Sequence, residues 1–183
     1  MEWIRGETIG RGTFASINLA TPKEKSPTLP PVMAVKSCDL SESATLINER
    51  EVLGCLGDCP EIIRCFGANL TAAEEGGSDR YNLLLEYAPG GSLLDEMRRR
   101  GGRIPEAEVR RHVRSVLEAV KHIHGRGFVH GDIKVQNILV FPVVNGRGDT
   151  HVKVADFGLA SKAGRRRIQP ESSDDESCWI SLR

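Results

Sequence analysis

The stretch His130-Gly131-Asp132-Ile133-Lys134-Val135-Gln136-Asn137, followed by Asp156-Phe157-Gly158, decides the fold of this chain. It places a carboxylate, a lysine, an amide and a second carboxylate in a fixed order. Two short segments, Ile138-Leu139-Val140 and Val152-Lys153-Val154, lie between the two motifs and predict a pair of strands. We therefore expect a polar loop beside a small hairpin, with Asp156 placed directly after the second strand.

These four side chains suit the transfer of a phosphoryl group from ATP to a hydroxyl group. Asp132 is predicted to accept or orient the proton of the acceptor hydroxyl, and Lys134 to stabilise charge on the moving group. Asn137 and Asp156 offer oxygen atoms, which are the ligands that Mg²⁺ prefers. The sequence therefore predicts a site that uses ATP and Mg²⁺.

A glycine-rich turn lies between two predicted strands near the start of the chain. The run Gly10-Arg11-Gly12-Thr13-Phe14-Ala15-Ser16-Ile17 resembles a loop that covers phosphates, although Ala15 stands where a third glycine belongs. The strand 32–36 ends at Lys36, which resembles a lysine that touches the α- and β-phosphates. Each signal alone is weak, because glycine hairpins and solvated strand-end lysines are common.

The chain changes from predicted strands to predicted helices at Pro89-Gly90-Gly91, where we place a lobe boundary. Before it, strands are predicted at 3–9, 17–20, 32–36, 62–66 and 81–87, with one helix at 43–56. After it, Ser92 is predicted to cap a short helix, and Pro105 to lie in the first turn of a longer one. The apolar residues of that longer helix are predicted to share one face: Val109, Val113, Val116, Leu117, Val120 and Ile123.

Composition excludes several classes of partner. The 183 residues include 39% hydrophobic residues, enough for a packed core, and 25 basic and 25 acidic residues balance. We therefore expect no nucleic acid or membrane partner.

No stretch reaches transmembrane length and no signal peptide is recognised, so we expect an intracellular protein of the cytoplasm, with the nucleus as a further compartment. The five cysteines are expected to be small buried thiols, although Cys55, Cys59 and Cys65 leave a metal site as an alternative.

The chain resembles the eukaryotic protein kinase domain, and within it the plant mitogen-activated protein kinase kinase kinases of the MEKK-like group. Besides the motifs above, the segments 3–10, 62–67 and 82–88 carry the resemblance, which runs from Trp3 to about Ala163. The spacing of Asp132 and Lys134 is similar to that of serine/threonine kinases. The resemblance implies an α+β, two-lobed fold: residues 1–89 would form a β-rich N-lobe, and residues 90–183 an incomplete, mainly helical C-lobe.

The resemblance also implies roles for residues that spacing alone does not single out. Glu49 would hold Lys36, while Glu51 would be its exposed neighbour. Leu85 would lie behind the adenine, and the backbone from Glu86 to Ala88 would bond to it. His130 would pack with Phe157 and Leu53. The implied nucleotide-binding residues are Ile9, Gly10, Arg11, Gly12, Thr13, Phe14, Ala15, Ile17, Ala34, Lys36, Leu85, Glu86, Ala88 and Leu139.

The sequence departs from the kinase pattern in two places. Gly131 stands where the family has an arginine that pairs with a phosphate on the activation segment, so we expect less dependence on such a phosphate. The segment after Gly158 contains Arg165-Arg166-Arg167 and Ser172-Ser173 but no Ala-Pro-Glu motif. We read the arginines as a solvated loop and the serines as phosphorylation sites or part of a disordered linker. The helix after Pro105 is expected to lack a packing partner.

The expected function is that of an ATP- and Mg²⁺-dependent serine/threonine protein kinase, acting on the next kinase of a mitogen-activated cascade, a MAP kinase kinase. The missing motif predicts weak or absent activity for this chain alone. Two alternatives stay open. One is a non-catalytic nucleotide-binding or interaction module, and the other is an incomplete gene product without a folded function. The upstream activator and the oligomeric state are not specified by these residues.

Overall fold

Strands make up most of the first half of the protein, and helices with two short strand pairs make up most of the second. The computed structural model describes residues 2–12, 15–25, 27–72, 78–143 and 149–164. The N-terminal elements are β1 (Trp3–Arg11), β2 (Ser16–Pro22), β3 (Met33–Asp39), α1 (Ala44–Leu56), β4 (Cys65–Thr71) and β5 (Arg80–Glu86). The later elements are α2 (Leu93–Arg99), α3 (Glu106–Gly125), β6 (Phe128–Val129), β7 (Ile138–Pro142), β8 (Thr150–Val154) and β9 (Ser161–Lys162).

The first five strands form one antiparallel sheet in the order β1-β2-β3-β5-β4. Side chains alternate between the two faces of a strand, so Ala34 and Lys36 of β3 share one face while Val35 and Ser37 point to the other. Ala34 and Leu85, which are paired across β3 and β5, belong to the main core together with Leu46 and Leu53 of α1. The sheet therefore presents Lys36 towards the side on which α1 packs.

The other face of the sheet contains a buried polar ladder. The Asn82 side chain is fully buried, and its Oδ1 accepts hydrogen bonds from Ser37 at 2.7 Å and from Arg5 at 2.9 Å. Arg5 also donates to Asn18 of β2. Because buried polar atoms are costly unless they are paired, this ladder fixes how four strands lie against one another.

The helical part is organised around two helices, of which α2 is capped, and a hairpin. Ser92 begins α2 with a capping box, in which its hydroxyl accepts from the Asp95 N–H and the Asp95 carboxylate accepts from the Ser92 N–H. β7 and β8 pair from Ile138 opposite Val154, and α3 packs against β8. This arrangement places the loop before β7 and the residues after β8 side by side. None of the described helices is long and apolar enough to cross a membrane.

Several boundaries differ from the sequence prediction. β3 continues beyond Lys36 to Asp39, because it pairs with β5 along its whole length. β4 begins at Cys65, and Ile62 forms only an isolated bridge with Val154 of β8. Pro105 is the N-cap of α3 rather than part of its first turn. Long-range pairing decides the two strand ends, and local composition does not report it.

The cysteine prediction is partly wrong. Cys38 is buried and Cys59 and Cys65 are half-buried, but Cys55 is exposed near the end of α1. All four are free, and Cys178 lies outside the described residues. Within the part of the chain that is described, no three His, Cys, Asp or Glu side chains cluster as a metal site.

α3 does not bury a single apolar stripe. Val109, Val113 and Leu117 lie one turn apart and are 40%, 50% and 61% exposed. The buried side chains of the helix are instead Glu108, His112, Ala119 and Ile123. Of the six apolar residues predicted to share one face, only Ile123 is fully buried. The buried face of the helix is the neighbouring one, which carries Glu108, His112 and Ala119.

Glu108 and His112, the buried polar residues of α3, belong to a closed network of hydrogen bonds. Thr150 donates to Glu108 Oε1 at 2.9 Å, so the His112 Nε2, 3.0 Å from the Thr150 hydroxyl, must donate to it. Arg100 completes the network through an ion pair with Glu108 at 2.7 Å. Burial lowers the pKa of His112, and the neighbouring Glu108 only partly opposes this shift. His112 is therefore held as a neutral donor.

This network predicts a loss of stability in mild acid. A histidine whose folded pKa is lowered is protonated first in the unfolded state, so its contribution is complete above about pH 6.5 and falls as the pH drops below that value. The free energy of unfolding in urea should thus be smaller at about pH 5.5 than at about pH 7.5, by up to about 1.4 kcal/mol per pH unit for one such group. His112→Gln should reduce this pH dependence. His124→Gln, at an exposed position of the same helix, is the matched control, and an equal effect of both variants would contradict the assignment.

Candidate functional site

A cavity of about 570 Å³ lies between the sheet and the helical part. Its wall brings together twelve of the fourteen sequence-predicted nucleotide-binding residues: Ile9, Gly10, Arg11, Gly12, Ala15, Ile17, Ala34, Lys36, Leu85, Glu86, Ala88 and Leu139. Thr13 and Phe14 lie outside the described residues. Glu49, Lys134, Asn137 and Asp156 also line it. Residues from six separate segments of the sequence thus meet at one place.

Lys36 is the centre of the polar wall. Its Nζ lies 2.8 Å from Glu49 Oε2 and 2.8 Å from Asp156 Oδ1. β3 presents Lys36, α1 presents Glu49, and Asp156 follows β8. Glu49 is fully buried, and its second oxygen accepts the N–H of Phe157 at 3.2 Å. The buried carboxylate therefore has a partner for each oxygen, as burial of a charge requires.

The electrostatics of this cluster favour the charged forms of Lys36 and Asp156. Burial lowers the pKa of Lys36, but the charges of Glu49 and Asp156 together outweigh it and raise the pKa above its ordinary value. Burial would raise the pKa of Asp156, whereas the charge and hydrogen bond of Lys36 hold the pKa below its ordinary value. Burial raises the pKa of Glu49, and Lys36 opposes that shift. Lys36 and Asp156 are thus fully ionised near neutral pH.

Asp132, Lys134 and Asn137 form a second polar group. The Asp132 Oδ2 lies 2.8 Å from Lys134 Nζ and accepts from Asn137 Nδ2 at 2.9 Å. Asn137 also donates to the Asp132 carbonyl at 2.9 Å. Asp132 does not itself line the cavity, but both of its partners do. Its carboxylate is therefore held in place between a cation and an amide.

His130 orients the backbone of this loop. Its Nε2 lies 3.1 Å from the Ala155 carbonyl, so it must donate, and its Nδ1 accepts the N–H of Asp132 at 3.2 Å. Burial lowers the pKa of His130, which keeps the ring neutral as these two bonds require. The ring packs on Phe157 with centroids 4.6 Å apart. The two motifs that the sequence places 25 residues apart are therefore joined through one histidine.

Asn137 and Asp156 fit a magnesium ion. Both line the cavity, and the lowered pKa keeps Asp156 ionised. The amide nitrogen of Asn137 is engaged with Asp132, and neither bond uses its oxygen. Carboxylate and amide oxygens are hard ligands, and Mg²⁺ is usually held by one or two protein groups together with phosphate oxygens and water. The two residues suit an ion that enters with a phosphate-bearing ligand.

The end of β5, which is expected to bind adenine, makes a contact that the sequence does not predict. Lys153 Nζ lies 2.8 Å from both carboxylate oxygens of Glu86, and the Arg64 N–H donates to the same carboxylate. Lys153 is in β8, so the pair ties the end of β5 to the helical part. No local pattern identifies this ion pair, because its partners are 67 residues apart. Asn48 of α1 was missed for the same reason, because the backbone carbonyls that its amide contacts, at residues 157–160, lie more than 100 residues away.

Size alone would not single out this cavity. A larger one, of about 750 Å³, lies beside the end of α1 and the start of β4. Its wall includes Arg50, Arg64, Cys55 and Cys59, but none of the residues predicted to bind ATP or Mg²⁺ or to act in catalysis. The arginine run 165–167 and the serines at 172 and 173 lie outside the described residues.

Comparisons with known proteins agree with this geometry. A family model described as the protein kinase domain matches residues 3–175. Mitogen-activated protein kinase kinase kinase 20 of Arabidopsis thaliana is 52% identical over 163 residues, which cover 88% of this chain and 45% of that protein. Kinases 17 and 18 of the same name and organism are 36% and 37% identical over 162 and 178 residues. Those matches cover 88% and 95% of this chain, and 40% and 48% of the relatives. The chain thus spans less than half the length of each relative.

Proposed function

We propose, because the chain belongs to the protein kinase domain family, that it binds ATP with Mg²⁺ and transfers the terminal phosphoryl group to serine or threonine hydroxyl groups of a protein. The names of the relatives describe kinases that act on a mitogen-activated protein kinase kinase. We propose the same class of protein as the acceptor, and the cytoplasm as the compartment where they meet.

One observation carries the proposal: the cluster of Lys36, Glu49 and Asp156 lies on the same cavity wall as Lys134 and Asn137. Phosphoryl transfer needs little covalent chemistry from the protein, and most of the acceleration comes from alignment and charge. A cation beside two acids, with a second cation on the same cavity wall, supplies both. The apolar wall of Ala34, Leu85 and Leu139 offers space for a flat ring.

Each residue has a distinct role in the proposed reaction. Lys36 holds the α- and β-phosphates in place of its present contact with Asp156, while Glu49 keeps the ammonium group in position. Asp132 orients the acceptor hydroxyl and takes its proton, and Lys134 stabilises charge on the transferred group. Asn137 and Asp156 bind Mg²⁺, which when present neutralises the phosphate oxygens.

The test is phosphate transfer to a MAP kinase kinase whose own catalytic lysine has been replaced. We expect Mg²⁺-dependent labelling on serine or threonine, above the level given by Asp132→Asn. The rate should be low, because the exposed apolar side chains Val109, Val113 and Leu117 of α3 favour association of the chain with itself. Nucleotide binding without transfer would instead favour a non-catalytic module. Absence of both binding and a cooperative melt would favour a chain without folded function.

A further inference from the structure

The turn at residues 157–160 lies directly against α1 and is bound there by Asn48. The Nδ2 atom of Asn48 lies 2.9 Å from the Ala160 carbonyl oxygen, 3.1 Å from that of Gly158 and 3.3 Å from that of Phe157. The turn itself is closed by the Ala160 N–H, which donates to the Phe157 carbonyl at 3.0 Å. Three backbone carbonyl groups therefore converge on one side-chain amide.

This arrangement requires a side chain with more than one donor. Carbonyl oxygens that converge repel one another unless hydrogen atoms lie between them, and the NH₂ group of asparagine provides two. A serine or threonine hydroxyl would provide one, and leucine none. Since a buried or half-buried carbonyl without a partner costs free energy, removal of the amide destabilises this position of the turn.

Neighbouring residues of α1 contact the same turn. Glu49 Oε1 accepts the N–H of Phe157 at 3.2 Å, so α1 binds both donors and acceptors of one short segment. A Cβ atom added to Gly158 would lie 3.4 Å from Thr45, which shows how closely the two backbones approach. Thr45, Asn48 and Glu49 are spaced i, i+3, i+4 and share one face of the helix. The turn and this face of α1 therefore separate only if several contacts break together.

We propose that Asn48 is a positioning residue that couples the placement of Asp156 to that of α1. Asp156 immediately precedes the turn and has a φ of 65°, which is strained for a residue other than glycine and persists only where its surroundings hold it. With the amide in place, the turn keeps the Asp156 carboxylate beside Lys36. Without it, only a fraction of the molecules present Asp156 to the cavity.

The kinetic consequence rests on the proposed function. Asn48→Leu keeps the side-chain size and removes both donors. When only a fraction of molecules is competent to bind, the apparent affinity falls by that fraction while turnover at saturation is retained. We expect the KM for Mg-ATP to rise about tenfold and kcat to change less than about twofold. The affinity for ATP with Mg²⁺ chelated should stay within about twofold, because the adenine contacts do not involve the turn.

Two further variants separate positioning from a general structural effect. Asn48→Gln retains the amide donors and should recover part of the lost affinity. Glu51→Leu makes a similar polar-to-leucine change at an exposed position of the same helix and should leave the KM unchanged. An equal rise in KM for Glu51→Leu, or an unchanged KM for Asn48→Leu in an active kinase, would overturn the proposal.

Hydrogen exchange gives a readout that does not depend on activity. In Asn48→Leu, the backbone amides of residues 156–160 should lose protection while those of β3 and β5 keep it. Protection unchanged in that segment, or lost uniformly over the chain, would overturn the proposal. If the parent chain shows no turnover, the proposed function fails, but exchange at 156–160 still decides whether Asn48 holds the turn.

Discussion

Replacing Asp132 with asparagine is expected to lower the rate of phosphoryl transfer by roughly 10²–10⁴-fold. Asparagine has the same shape and can still accept a hydrogen bond from Asn137, which lies 2.9 Å from Asp132 Oδ2. It cannot take a proton from the acceptor hydroxyl at neutral pH, and it loses the charge that pairs with Lys134 at 2.8 Å. The defect should therefore appear in kcat, and the affinity for Mg-ATP should stay within about threefold.

A surface aspartate provides the matched control. Asp58 is 92% exposed in its side chain and has a single long contact, of 4.0 Å, to Arg64. Asp58→Asn makes the same chemical change away from the cavity and should leave the rate unchanged. A rate for Asp132→Asn within about threefold of that of the parent chain would contradict the role of Asp132 as the base.

The second large effect is expected at the ion pair of Lys36 and Glu49. Lys36→Met leaves a fully buried carboxylate without its cation, which should lower the free energy of unfolding by about 3–5 kcal/mol near neutral pH. The double variant Lys36→Met/Glu49→Leu removes both charges, so it should be less destabilised than the sum of the two single variants. Urea unfolding of the four proteins measures this coupling directly.

The pH dependence of the single variant supplies an independent check. Burial raises the pKa of Glu49, and without Lys36 only the hydrogen bond from the Phe157 N–H opposes that shift. An acid whose folded pKa is raised destabilises the protein above its unfolded pKa, and this cost shrinks as the pH falls and the carboxyl is protonated. Lys36→Met should therefore lose less stability at about pH 5 than at about pH 7.5. Additive single effects at both pH values would show that the two side chains do not interact.

Much of the fold and of the site could be predicted because the signals are local. Leu46 and Leu53 mark the buried face of α1 by their helical spacing. Glu49 lies on the same face, but its role was assigned through the resemblance and not through spacing. The run 83–85 and the break at Pro89-Gly90-Gly91 mark the last strand of the sheet and its end. The capping signal at Ser92 is also contained within four residues.

The features that were missed depend on contacts between distant segments. Asn48 meets the turn across more than 100 residues, and the buried Glu108 and His112 are stabilised by Thr150, about 40 residues away. Hydrophobic periodicity does not reveal either contact, because it treats polar and charged residues as exposed. Gly131 illustrates another limit. The sequence suggested only a missing arginine, whereas the structure gives this residue a φ of 79°, a conformation that glycine adopts without strain.

The most direct test of the account is the affinity for ATP, measured by titration calorimetry with Mg²⁺ and with Mg²⁺ chelated, on the parent chain and on Asp156→Asn. If Lys36, Asn137 and Asp156 act on one nucleotide, Mg²⁺ should strengthen binding to the parent chain by about tenfold or more, and the substitution should remove most of that gain. Equal affinity with and without Mg²⁺ in the parent chain, or a gain that survives in Asp156→Asn, would contradict the account.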